Sequence, residues 1–214
     1  MPAQIEATIP VTDFSRDLRG EADHRIANSL QIVSALIRQR ARSGPVVNPE
    51  IFLLEVADRI STVGSLHLLL ARSKTETVRL SAYLEEVCDR LTGALAPDAT
   101  SLAFDCPQEI VLSSKTALPL ALITAELVSN SLKYAHPTGL PAKITLSCAR
   151  EETGGLKLIY EDDGVGFPEN FDISAASHSG MSFIRLLSKS LRANPTWHSD
   201  PLGIRFEIEF ASID

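Results

Sequence analysis

The sequence predicts an α+β fold: an N-terminal helical hairpin followed by a two-layer sandwich, with helices on one face of a mostly antiparallel or mixed sheet. Three observations predict it. Two long helical patterns of apolar residues share a short connection at Ser43-Gly44-Pro45. After Ser73-Lys74-Thr75 that pattern gives way to short alternating segments. Strands and helices then mix without a regular βαβ repeat. The implied domain division is 1–75 for the hairpin and 76–214 for the sandwich.

Residues 1 to about 12 hold Pro2, Pro10 and few periodic apolar positions, and read as a lead-in. From Asp13 a helical pattern runs to about Arg42, with Ile26, Leu30, Val33 and Ile37 on one stripe. Asn48 caps the second helix, Pro49 takes its first position and Glu50 its first turn. Phe52, Val56, Ile60, Val63 and Leu70 form its stripe to about Arg72, widened by Leu53, Leu66 and Leu69. Such wide stripes bury too little in one hairpin. A dimeric four-helix bundle is the simplest remedy, packing on the C-terminal domain the alternative.

Thr77–Leu80 is a short strand candidate, and Ser81 caps a helix to about Leu95. Ala96–Ala99 makes a turn, Leu102–Phe104 and Ile110–Leu112 are strands, and Ser113 or Ser114 caps a long helix from about Lys115 to Ala135. Lys143–Ala149 and Leu156–Tyr160 alternate as neighbouring strands. A helix from about Gly180 to Ala193, then strands at Trp197 and Gly203–Phe210, complete the chain.

A net charge of −7 argues against nucleic acid as the main partner, because no basic surplus exists to neutralise phosphates. No apolar run reaches membrane-spanning length, and no secretory signal is visible, so a cytoplasmic protein without membrane contact is expected. Cys88, Cys106 and Cys148 are widely spaced without a metal-ligand pattern, and are expected to be reduced thiols in core or strand positions.

Four segments carry chemistry. His24 lies about 200° around the first helix from Ile26, on a polar face with Asn28 and Gln31, flanked by Glu21, Asp23 and Arg25. A lone helical histidine is more often an ordinary surface residue, and gains meaning only beside the motifs a hundred residues further along the chain. In the long helix Glu126 and Asn130 are four apart, with Lys133 near their face. A carboxylate, an amide and an ammonium aligned there suit a hydrated Mg²⁺ and a polyphosphate. The loop Asp162-Asp163-Gly164-Val165-Gly166 succeeds an apolar strand, where glycines permit close backbone approach and an acid can accept from an exocyclic amine. Gly180 opens a helix, whose amides favour anions.

In this order the last three pieces resemble the N box and the two glycine boxes of the GHKL ATPases, whose ATP-binding fold is an α/β sandwich. Glu21-x-x-His24-Arg25-x-x-Asn28, followed by Leu30-Gln31-Ile32-Val33, resembles the phosphoacceptor helix of the HRxxN subfamily of two-component sensor histidine kinases (HisKA type 2). Asp58-Arg59-Ile60-Ser61-Thr62-Val63-Gly64-Ser65-Leu66-His67 resembles that subfamily's second bundle helix.

The resemblance implies ATP and Mg²⁺ as cofactors and His24 as the residue that takes the γ-phosphoryl group. It implies Glu126 and Asn130 as the N box, Asn130 as Mg²⁺ ligand and Lys133 near the phosphates. Asp162 would bind the adenine amine, Gly164 and Gly166 would shape the pocket, and Gly180 would sit by the phosphates. Asn28 matches the position that orients a water for dephosphorylating the partner regulator. The implied partners are a response-regulator receiver domain, docked near Ile32–Arg40, a second copy of the chain, and a separate sensor protein. The alternative is a histidine phosphotransferase or phosphatase module with a degenerate ATP domain, motivated by His178 and Ser179 in the second glycine box. A GHKL ATPase of another kind would leave the first seventy or so residues unexplained.

Overall fold

The computed structural model describes residues 26–27, 30–35, 37–38, 41–42, 48–72, 77–95, 100–152, 154–173 and 179–211. The described residues between 26 and 42 are helical. Val33 is buried there, while Ile26, Leu30 and Ile37 are exposed. Helix α1 (Pro49–Arg72) begins as its sequence predicts. The Ile51 N–H donates to Asn48 Oδ1 at 3.2 Å, which satisfies one orphan donor of the first turn. Its buried stripe is Val56, Arg59, Val63, Leu66 and Leu70, and this face packs on helix α3 (Ser114–Tyr134). The expected stripe included Leu53 and Ile60; both are exposed, at 65% and 46%. An arginine occupies the inward position instead, because it finds a carboxylate on α3.

Strand β1 (Thr77–Arg79) pairs antiparallel with β3 (Val111–Ser113) as a small ribbon. Helix α2 (Leu80–Leu95) starts one residue before the expected cap. The Leu80 N–H already donates to the Ile110 carbonyl at 2.9 Å. Ser81 therefore lies inside the first turn, buried and without a hydrogen-bond partner for its hydroxyl. The predicted turn at 96–99 lies outside the described residues.

The main sheet has the order β2-β4-β5-β7-β6. Its strands are β2 (Ser101–Asp105), β4 (Lys143–Arg150), β5 (Gly155–Asp162), β6 (Pro195–Asp200) and β7 (Gly203–Ala211). Only β2 and β4 run parallel, so the sheet is mixed. Strict alternation puts Ile144, Leu146, Leu158, Tyr160, Phe206 and Ile208 in the core. Helix α3 lies between α2 and α4 (Ser179–Ser190) and packs on both.

The parallel register sets Asp105 opposite Ser147, so the next residues, Cys106 and Cys148, fall side by side. They form a disulfide, with Cα atoms 4.6 Å apart, which corrects the expectation of three reduced thiols. Pairing between parallel strands 42 residues apart leaves no local mark in the sequence. Cys88 is free and buried, and desolvation, then the Asp89 charge, pushes its thiol up to about 12.

The outer face of the sheet carries a charge ladder. Lys157 Nζ lies 2.7 Å from Glu207, which also takes Arg205 at 2.6 Å, and Arg205 reaches Glu161 at 2.5 Å. Hydrogen bonds from Lys157 and then Arg205 hold the Glu207 carboxyl below its ordinary value. A depressed carboxylate contributes stability above the unfolded-state value, near pH 4.3, and that contribution is lost as pH falls through the folded value. Glu207→Gln is therefore expected to leave a chain that loses less stability than the native one as pH falls below about 4.3. The difference, about 0.5 kcal/mol for a part-exposed pair, is measured by urea unfolding across the pH range.

Candidate functional site

Helix α3 is buried nearly all round through its first turns and opens to a cavity from Leu122 onward. Leu127 and Val128 continue into the core, while Glu126, Asn130 and Lys133 recur at helical spacing on the cavity side. The cavity measures about 750 Å³, and Asp162, Gly166 and Gly180 line it as well. Six of the residues singled out from the sequence thus meet around one space. Gly164 is not among the lining residues. A Cβ there would stand 2.6 Å from the Ala135 Cα, so this glycine lets the loop press on the end of α3 rather than admit a ligand. The Val165 N–H then donates to the Ala135 carbonyl at 2.9 Å. His24 and Asn28, with Glu21 and Asp23, lie outside the described residues.

At one end of the cavity the Asp162 carboxylate is held from three directions. Ser131 Oγ donates to Oδ2, and the backbone N–H groups of Gly164 and Ile204 donate to Oδ1 at 3.1 and 3.2 Å. Behind it the Tyr160 hydroxyl donates to Ser131 Oγ at 2.8 Å. Burial pushes the Tyr160 phenol well above its ordinary value, so it stays a donor at neutral pH. Gly166 has φ +71°, and a Cβ there would overlap the Asp200 carbonyl oxygen. Phe167, stacked on Phe171 at 4.8 Å and tilted against Trp197 at 5.7 Å, makes an apolar wall suited to a flat ring.

Asp163 turns to other work. His136 Nε2 lies 3.0 Å from its Oδ1, which also accepts the Lys143 N–H at 2.8 Å. Burial raises the Asp163 value, but the Lys143 and His136 bonds outweigh it and leave the carboxyl below its ordinary range. His136 is a clasp for the loop and does not line the cavity.

The other end lies about 7.5 Å along α3, five residues before Ser131 at 1.5 Å each. Gly180, in the first turn of α4, faces Glu126 and Asn130: a Cβ there would stand 3.1 Å from Glu126 Oε2 and 3.6 Å from Asn130 Nδ2. A side chain at this position would crowd Glu126, so the glycine lets a helix N-terminus, which favours anions, come this close to α3. No group of three metal-ligating side chains occurs among the described residues. A divalent ion here would draw one oxygen from Asn130 and the rest from phosphate and water, the habit of Mg²⁺.

Arg59, Ser131 and Tyr160 also line the cavity, and the sequence reading passed over them. Arg59 Nε and Nη2 donate to Glu126 Oε1 and Oε2 at 2.6 and 3.1 Å, with both side chains almost wholly buried. A signal for it existed: an arginine at an inward position of an apolar stripe needs a buried partner. Ser131 and Tyr160 had none, because a serine on a helix and a tyrosine on a strand are ordinary.

A family of histidine kinases, HisKA_2, matches residues 21–95. The sensor histidine kinase PdtaS of Mycobacterium tuberculosis is 31% identical over 175 residues, covering 78% of this chain and 33% of that protein. Blue-light-activated histidine kinase 2 of Erythrobacter litoralis is 24% identical over 200 residues, covering 89% of this chain and 55% of that one. The chain thus spans a third to about half the length of these relatives. Among known structures, the Erythrobacter litoralis EL346 blue-light-activated histidine kinase superposes with a TM-score of 0.75 at 20% identity, over 96% of this chain and 62% of that one. The described residues therefore share the fold of that histidine kinase.

The relay behind Asp162 is open to test. Ser131→Ala would strand the buried Tyr160 hydroxyl and take a donor from a carboxylate, a loss of about 1–3 kcal/mol. Tyr160→Phe removes only the outer bond and should lose about 0.5–1.5 kcal/mol. Chemical denaturation of the two variants checks the order.

Proposed function

We infer, from a chain that belongs through residues 21–95 to the HisKA_2 family of histidine kinases, that it is an ATP-dependent protein-histidine kinase. The observation that carries this is the single cavity with an amine acceptor, Asp162, at one end and Glu126, Asn130 and Gly180 at the other. Those two ends suit a purine ring and a polyphosphate, in the order the chain's motifs predict.

In this reading the imidazole of His24 attacks the γ-phosphorus of ATP in line, the bond to the bridging oxygen breaks, and ADP leaves. The transition state is loose, so positioning and charge neutralisation supply most of the acceleration. Asp162 and the aromatic wall hold the base, and Lys133 and the α4 amides hold the phosphates. Mg²⁺, held by Asn130 and the phosphates, would neutralise charge on the β- and γ-oxygens. Glu21 or Asp23 orients the imidazole and takes its proton. The phosphohistidine then passes its group to an aspartate on a receiver domain docked near Ile32–Arg40, and Asn28 orients the water that later hydrolyses the aspartyl phosphate, releasing inorganic phosphate.

The exposed Ile26, Leu30, Ile37, Leu53, Leu54 and Ile60 supply an apolar face for a second copy of the chain, completing a four-helix bundle. No helix among the described residues is long and apolar enough to cross a membrane.

Incubation with γ-labelled ATP and Mg²⁺ tests the assignment. The native chain is expected to take up label that is stable in alkali and lost in acid, as a phosphoramidate is, and His24→Ala to take up none. Label persisting in the variant would refute His24 as acceptor. Absence of both labelling and ATP affinity, with phosphate exchange from a phosphorylated receiver, would favour the phosphotransfer module instead.

A further inference from the structure

We propose that Arg59, a residue of the hairpin, is a positioning residue for the phosphate end of the nucleotide cavity, acting through Glu126. The inference rests on the nucleotide-binding reading above and adds to it a residue from outside the sandwich.

Packing alone does not account for Arg59. It stands on the inward stripe of α1, 7% exposed, among Val56, Val63 and Leu66. A hydrocarbon at that position would seal α1 to α3 without taking two charges out of water, and buried ion pairs are often no more stabilising than apolar replacements. What the arginine does that a leucine cannot is fix a carboxylate. Its two parallel bonds define the plane and reach of Glu126, the bidentate geometry that a guanidinium imposes. The guanidinium in turn lies 5.6 Å over the Phe183 ring, on the helix that Ser179 and Gly180 begin. One side chain thereby ties α1 to α3 and α4 at the point where Glu126 Oε2 faces Gly180.

Charge supplies the second half of the argument. Glu55, Asp58 and Glu126 all line this part of the cavity, and an uncompensated carboxylate there would repel phosphoryl oxygens. Lys133 is exposed and works at solvent dielectric, whereas Arg59 neutralises Glu126 inside the wall. Among the described residues Arg59 Nη1 makes no hydrogen bond, and Glu55 Oε2 lies 3.9 Å from it, so the fork is committed to Glu126 without competition from a nearer acid. Removing the guanidinium leaves a buried carboxylate both misplaced and unneutralised, at the end where a triphosphate is most negative.

The test is calorimetric titration of the full chain with the Mg²⁺ complex of the non-hydrolysable β,γ-imido analogue of ATP, and separately with AMP, which reaches only the base end. Arg59→Ala is expected to weaken the triphosphate by about tenfold and leave AMP unchanged. Adding Glu126→Gln to that variant should recover most of the loss, because a neutral amide needs no counter-charge. Arg59→Lys keeps the charge but not the fork, and should show the same split between ligands at a few-fold. It also carries the test if Arg59→Ala fails to fold. Equal loss for both ligands, no loss in a folded variant, or no recovery with Glu126→Gln overturns the proposal and leaves Arg59 a packing residue. A native chain that binds neither ligand overturns the nucleotide reading itself, and this inference with it.

Discussion

The Asp162 carboxylate is the junction on which the site depends. It sits at the end of β5 and takes donors from α3 through Ser131, from the glycine loop through the Gly164 amide, and from β7 through the Ile204 amide. Hydrogen bonds to a charged acceptor contribute about 1.5–3 kcal/mol each, so three from separate elements hold those elements to one another. The packing around it leaves no slack. Gly203, at φ +145°, lies against the Asp162 carbonyl oxygen with no room for a Cβ. The acceptor that would read a base is thus placed by the fold before any ligand arrives, which spares the ligand the entropy of ordering it.

How far this was legible in the sequence depended on the range of the interaction. The Asn48 cap, the α1 and α3 helices and the β4–β5 pair were readable because each rests on periodicity or on partners three or four residues apart. The cavity face of α3 was readable for the same reason: Glu126, Asn130 and Lys133 share it by helical spacing. The partner of Glu126 was not, since Arg59 is 67 residues away. The Cys106–Cys148 bond escaped for a related reason, parallel pairing being specified by register rather than by any local turn. Gly164 was read as an opening for a ligand and proves to be an opening for Ala135. Both uses need the missing Cβ, and nothing in the sequence separates them.

Helix α1 bears on an alternative that the sequence left open. One helix of 3.6 residues per turn can present two apolar stripes at once. In α1 the stripe through Val56, Val63 and Leu66 faces the sandwich, while Ile51, Leu54, Ile60 and Leu68 remain exposed. Packing on the C-terminal domain therefore does not consume the apolar surface that a bundle requires. The breadth of the stripe, which made the sequence hard to read, reflects two apolar faces superimposed on one helix.

Those two faces differ in kind. The exposed stripe is hydrocarbon, and a hydrocarbon face is tolerant: neighbouring packings bury similar area. The inward stripe is interrupted by Arg59, and a forked ion pair between buried partners is intolerant, because a small slide opens both bonds and leaves two charges out of water. α1 is thus keyed to α3 at one register by an interaction that adds little to the stability of the join and much to its definition. Placing that key beside Gly180 and Asn130, rather than elsewhere along a helix 24 residues long, makes the geometry of the cavity and the seating of the hairpin the same variable.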